Sequence, residues 1–251
     1  MSAGSLPFTD AAAASRRGSA HEGNDDASTL LDARLPAVAT ARHGCLFAVC
    51  DGVSSVPSGG WAARTACERL AGFFEPESSG TLDGLLQGLN EIDWELRGKG
   101  VGMAACTLTA VWIARGVASV LRVGDSRVFR IRDGAIHEIC PGGHRGRSLQ
   151  AYLGMGPGLN QVLRTWQDPV RTGDVFLLTT DGLLSIAAPL DLAAAWWSAG
   201  MRPRACCEQA VALAEARGAT DDATLVVVDV LADETPPHLL PATRAQDAPR
   251  T

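Results

Sequence analysis

The chain has 251 residues, 46% hydrophobic and 20% charged, which is ample apolar material for a full core. A formal net charge of −6 with no basic block argues against nucleic acid as a partner, and no run is long and apolar enough to span a bilayer. The seven cysteines are odd in number and form no CxxC pair, so they read as reduced, buried thiols of a cytoplasmic protein rather than a zinc site or disulfide framework.

In chain order, residues 1–5 read as frayed, and an acidic cluster follows at Asn24-Asp25-Asp26. Residues 46–50 form a short apolar strand that runs into Asp51-Gly52. Two helices follow: one over 60–74, with Ala63, Cys67, Leu70 and Phe74 on one face, and one carrying the stripe Leu82, Leu85, Leu86, Leu89, Ile92 and Leu96. A meander of strands is expected over 107–114, 117–123, 128–132 and 135–139, with Asp133-Gly134 as a hairpin turn. Residues 140–148 are rich in Gly, Arg and His and read as a short basic flap. The strand at 174–180 again ends in Asp-Gly, at Asp181-Gly182. Helices over 191–199 and from Pro203 to Arg217, stopped by Gly218, lead to a β-branched strand at 223–230. Strict βαβ alternation is absent. The order fits an α+β fold: two mainly antiparallel sheets packed together with helices outside, in four layers α-β-β-α. One domain over 6–231 and a disordered tail over 232–251 complete the expected organisation. The tryptophans, Trp61, Trp94, Trp112 and the Trp196-Trp197 pair among them, read as core or helix-packing residues.

Asp-Gly is a common turn dipeptide, so one such strand end carries little information. Two of them, with further acidic clusters at Gly124-Asp125 and Asp221-Asp222, carry more. A rigid sheet can aim a carboxylate from a strand end into a cleft, and oxygen ligands from several segments suit hard cations such as Mg²⁺ or Mn²⁺. Carboxylates crowded together without a cation repel and protonate.

These residues resemble the metal-dependent protein phosphatases of the 2C type (the PPM family), especially their compact bacterial members. Asn24-Asp-Asp-Ala27 is similar to the family's Asn-Glu/Gln-Asp-Ala, and Phe47-Ala-Val-Cys-Asp-Gly52 to its Val-x-Asp-Gly strand end. Val123-Gly-Asp-Ser-Arg127 matches Val-Gly-Asp-Ser-Arg. Gly173-Asp174 followed by Leu177-Leu-Thr-Thr-Asp-Gly-Leu183 matches Gly-Asp…Leu-Leu-x-x-Asp-Gly-Leu, and Gly218-Ala-Thr-Asp-Asp-Ala-Thr224 resembles Gly-x-x-Asp-Asn-x-Thr. The resemblance implies a β-sandwich with a two-metal centre of Mn²⁺ or Mg²⁺ at one end. By position, Asp51 would bridge both metals and the Gly52 carbonyl would bind one. Asp181 and Asp221 would complete the first metal's shell, Asp26 would act directly or through water, and Asp125 would share a third, weaker metal with Asp181. The expected reaction is hydrolysis of phosphoserine or phosphothreonine by a metal-activated water, with no protein nucleophile. Implied partners are phosphorylated proteins, including a Ser/Thr kinase and its substrates.

The chain departs from the family pattern in places. The family's phosphate-binding Arg falls at His21, with Arg16 or Arg17 as neighbours able to reach in. Asp25 stands for Glu or Gln, and Asp222 for Asn, adding a charge beside the proposed site. Neither change removes a direct carboxylate ligand, but His21 and the flap at 140–148, which lacks the family's Asp-His-Ser segment, leave a catalytically inactive, phosphoprotein-binding regulator as the alternative. A metal-dependent nuclease is a third class, disfavoured by the lack of a basic groove.

Overall fold

The computed structural model describes residues 8–141 and 151–232. The frayed start at 1–5, the flap residues 142–148 and the tail 233–251 lie outside the described residues.

Ten strands form two five-stranded antiparallel sheets. The first has the order β1 (Thr9–Arg16), β10 (Ala223–Val230), β9 (Val175–Thr179), β6 (Arg127–Arg132), β7 (Ala135–Ile139); the second has β2 (Asp26–Leu31), β3 (Cys45–Asp51), β4 (Leu108–Ala114), β5 (Val117–Val123), β8 (Arg164–Pro169). Alternation along β3 explains why its sequence reads as one apolar run. Phe47 and Val49 point between the sheets and meet Phe176, Val226 and Val228, while Leu46, Ala48 and Cys50 face the helices. The strand is buried on both faces.

The second sheet carries α1 (Pro36–Ala41), α2 (Gly59–Arg69), continued by a 3-10 turn at Leu70–Phe74, and α3 (Leu82–Arg97). Helix α3 starts where Thr81 accepts the Gly84 N–H, and it buries Leu85, Leu89, Ile92 and Leu96 as the stripe requires. A short helix α4 (Leu159–Val162) precedes β8. The first sheet is covered by α5 (Asp181–Leu184), α6 (Pro189–Ser198) and α7 (Pro203–Ala216). The result is the four-layer α-β-β-α sandwich. Among the described residues, no helix is long and apolar enough to cross a membrane.

The structure adds strands that the pattern does not reveal. β1 has the sequence TDAAAASR, rich in a helix former, yet all eight residues pair with β10. Small side chains suit this edge because α7 packs closely on it, bringing Cys207 Sγ to 3.4 Å from the Ala12 carbonyl. β2 and β8 are also new, and β8 is an exposed edge ending at Pro169, where a missing N–H costs nothing. All seven cysteines are buried. Trp112 and Trp196 are buried as expected, but Trp94 and Trp197 face solvent on their helices, 55% and 46% exposed.

Candidate active site

One end of the sandwich collects carboxylates from both sheets. Asp26 opens β2 and lies opposite Asp51, which closes β3. The Asp51 N–H donates to Thr107 Oγ1 (3.0 Å), and its carbonyl accepts the Thr107 N–H (2.7 Å). The Thr107 hydroxyl lies 2.8 Å from that of Ser126, in the β5–β6 turn that presents Asp125. Gly52 then turns tightly against the start of α2. A Cβ there would fall 2.4 Å from the Gly59 carbonyl carbon, so only glycine lets the backbones approach.

From the first sheet, β9 ends just before Thr180, and Asp181 is the first residue of α5. Asp221 stands before β10, and a Cβ on Gly182 would lie 2.0 Å from the Asp222 carbonyl oxygen, so α5 and this turn are in close contact. The hydroxyls of Thr180 and Thr224 both donate to Asp26 Oδ2 (2.8 and 2.6 Å), tying β2 of one sheet to the ends of β9 and β10 in the other. Asp26 Oδ1 is buried without a partner among the described residues.

Asp51, Gly52, Asp125, Asp181 and Asp221 all line one cleft of about 480 Å³, and Asp26 sits behind it. Burial pushes the Asp51 carboxyl well above the usual carboxylate range, and the charges of Asp26, Asp181, Asp221 and Asp125 push it further. Burial likewise raises the Asp26 carboxyl to about 7; the two threonine hydroxyls oppose the shift, and Asp222 and Asp221 add to it. Several carboxylates around one poorly hydrated point are stable only when protonated or neutralised by a cation. The donor set is oxygen only: no Cys, His, Lys or Arg among the described residues lines the cleft. Among those residues, no three His, Cys, Asp or Glu side chains are gathered closely enough to hold an ion as they stand; the carboxylates line the cleft from separate segments. An all-oxygen ring with an unsatisfied buried carboxylate atom behind it fits a hard divalent ion better than zinc.

The two residues considered for phosphate binding, His21 and Arg17, are not among the lining residues, although His21 reaches Asp221 at the edge of the cleft. His21 Nδ1 is 3.0 Å from Asp222 Oδ2, and Nε2 is 3.5 Å from Asp221 Oδ1. The hydrogen bond to the Asp222 carboxylate raises the imidazole's pKa above its ordinary value. Asp222 is buried and also accepts the N–H groups of Gly18 and Asp25, both at 2.7 Å. The extra charge of this position is thus absorbed locally, in a knot that ties residues 18–25 to the β10 entry. Arg17 donates to the His21 carbonyl and lines a smaller pocket with Arg16, Gly18 and Ser19 that shares Asp221 with the main cleft. Sequence reasoning did not single out Tyr152, which lines the main cleft, nor Asp93, whose buried carboxylate lies under the adjoining segment.

Comparison with known proteins agrees with this architecture. The family model described as Protein phosphatase 2C matches residues 17–215. Among solved structures, the chain is similar to PppA of Pseudomonas aeruginosa, a key regulatory component of its T6SS, at 26% identity and a TM-score of 0.76, over 90% of this chain and 99% of that one. It is similar to the PPM Ser-Thr phosphatase MsPP from Mycobacterium smegmatis at 26% identity and a TM-score of 0.73, over 90% and 100% of the two chains. The catalytic domain of PstP, solved with two manganese ions, shares the fold at 23% identity and a TM-score of 0.74, over 89% and 99%. No curated protein sequence matches the chain. With a family model matching most of the chain, and with the sandwich and its carboxylate-lined end in place, the chain belongs to the protein phosphatase 2C family.

Proposed function

We propose that the chain is a metal-dependent protein serine/threonine phosphatase, acting in the cytoplasm through a single domain spanning 6–231. The observation that carries this reading is the gathering of Asp51, Asp125, Asp181 and Asp221, from four separate segments, around one cleft lined, among the described residues, without thiol, imidazole or cation. Asp51, Asp181, Asp221 and the Gly52 carbonyl would hold two Mn²⁺ or Mg²⁺ ions, with Asp26 behind them and Asp125 serving a third. When bound, such ions lower the pKa of water and neutralise phosphoryl charge. The chain's own contribution is to fix the carboxylates on strand ends, with Thr107 and Ser126 bracing Asp51 and Asp125, and Thr180 and Thr224 bracing Asp26. On this reading the nucleophile is water, and Asp51 and Asp181 would act through the ions they would hold rather than form a phosphoenzyme.

One observation favours the alternative, a regulator that binds phosphoproteins without turning them over. The cleft has no basic side chain among the described residues, and His21 is occupied by Asp222. Hydrolysis of a phosphothreonine peptide decides between them, measured with Mn²⁺, with EDTA, and with Asp181→Ala. Turnover that needs Mn²⁺ and disappears in the variant supports the enzyme. A folded, Mn²⁺-loaded wild type inert toward several phosphopeptides establishes the regulator instead.

A further inference from the structure

Outside its carboxylates the described lining of the cleft is neutral: the hydroxyls of Ser54, Ser55 and Thr107 stand beside an apolar part made by Val53, Val56, Ala105 and the ring of Tyr152. Tyr152 is the only tyrosine in the chain. It stands at the cleft because three stretches of extended backbone lie side by side. Gly52 bridges Cys106, and Cys106 bridges Leu153 through N–H···O contacts of 3.3 and 2.8 Å. Successive side chains of an extended segment point to opposite faces. Leu153 is wholly buried in the core, which turns Tyr152 toward the cleft.

Helix α3 fixes this segment from behind. Asp93 is 1% exposed, and its carboxylate accepts the N–H groups of Gly154, Met155 and Gly156 at 2.7, 3.0 and 2.8 Å. Arg97, one turn on, donates to the Met155 carbonyl at 2.7 Å. Gly154 has φ +98, and a Cβ on it would lie 2.4 Å from the Ala104 carbonyl oxygen, so the loop is folded tightly against its surroundings. A helix buries a carboxylate at a desolvation cost, and here all of its bonds go to the residues directly after Tyr152. The rim is apolar too. Gly102 lines the cleft, and its neighbours Val101 and Met103 are 77% and 43% exposed.

We infer that Tyr152 is a specificity-determining residue, its ring receiving an apolar side chain next to the phosphorylated residue, and that Asp93 is the positioning residue that holds the ring there. The inference rests on the phosphoprotein reading of the cleft. A phosphoryl group alone gives the carboxylate side no means of telling one phosphoprotein from another, whereas an aromatic wall in a cleft with no basic side chain among its described lining residues discriminates by apolar contact.

The test uses two fluorescent peptides carrying a non-hydrolysable phosphonate analogue of phosphothreonine, flanked on both sides by leucine in one and glycine in the other. Their Kd values for the Mn²⁺-loaded full chain are read by anisotropy, independently of turnover. Wild type is expected to prefer the leucine peptide by about tenfold, the scale of one buried aromatic contact. Tyr152→Phe should keep the preference and Tyr152→Ala should abolish it. Asp93→Asn, which keeps one acceptor oxygen, should weaken it while leaving Mn²⁺ affinity and p-nitrophenyl phosphate binding unchanged. Equal Kd values for the two peptides in wild type, or a preference that survives Tyr152→Ala, overturns the role of Tyr152. A preference untouched by Asp93→Asn removes Asp93 from it. Failure to bind either peptide sinks the phosphoprotein reading itself, a result distinct from binding without discrimination.

Discussion

Asp26 offers a direct measure of the strain among the carboxylates. Its carboxyl is raised from 3.8 to about 7, first by burial. A raised carboxyl means that the folded state holds the proton more tightly than the unfolded chain does. Stability is therefore fully present below 3.8 and is lost as pH rises through 7. At about 1.4 kcal/mol per pH unit across this interval, the raised carboxyl destabilises the metal-free fold by about 4 kcal/mol at pH 8, where it is ionised, and by about 1.6 kcal/mol at pH 5, where only the unfolded chain's carboxyl is ionised. Asp26→Asn removes that charge. Its carbonyl oxygen can still accept from Thr180 and Thr224, and its NH₂ would replace the unpartnered Oδ1, beside carboxylates. In EDTA at pH 8 the variant should melt about 10 °C above wild type, at ~2–4 °C per kcal/mol for a domain of this size. The gap should shrink by more than half at pH 5. With Mn²⁺ the wild type should gain more than the variant. Thermal melts by circular dichroism at both pH values suffice. A variant no more stable than wild type in EDTA at pH 8 refutes the argument from burial and repulsion. A gap of the same size at both pH values refutes its ionic origin.

Two further outcomes follow from the geometry. Gly182→Ala places a methyl 2.0 Å from the Asp222 carbonyl oxygen, so α5 and the Asp221–Asp222 turn must separate; Mn²⁺ affinity by titration calorimetry should fall about tenfold, with the far-ultraviolet spectrum unchanged. At the opposite end of β9, Asp174→Ala strips Arg132 of a two-pronged partner at 2.6 Å and leaves it Asp168 and the Pro169 carbonyl; urea denaturation should show a loss of about 3 kcal/mol, because an ion pair whose carboxylate is buried is broken on one side, while Mn²⁺ affinity stays at the wild-type value.

What the sequence discloses is what local pattern controls. The stripe on α3, the proline and glycine that bound α7, and the strand ends at Asp51 and Asp181 are each written within a few residues. Partners remote in sequence are not. β1 is a strand because β10 and the small face of α7 accept it, a context no window of alanines contains. Asp93 reads as one more polar position on a helix until the Gly154–Gly156 segment is seen on its carboxylate. His21 reads as a loop residue able to meet a phosphate, because Asp222, which holds it, lies two hundred residues away. The separation of Asp181 from its strand by Thr180 is a finer detail of the same kind; the hydroxyl between them is committed to Asp26.

The two sheets contribute unequally timed halves of one centre. Asp26 and Asp51 come early in the chain and Asp181 and Asp221 late, and each pair belongs to a different layer. Neither half can assemble the cleft by itself, so cation uptake at the proposed centre would be a gauge of completed folding. An ion held from both layers also acts as a reversible rivet between them, and its binding free energy adds to the resistance of the sandwich to being prised apart.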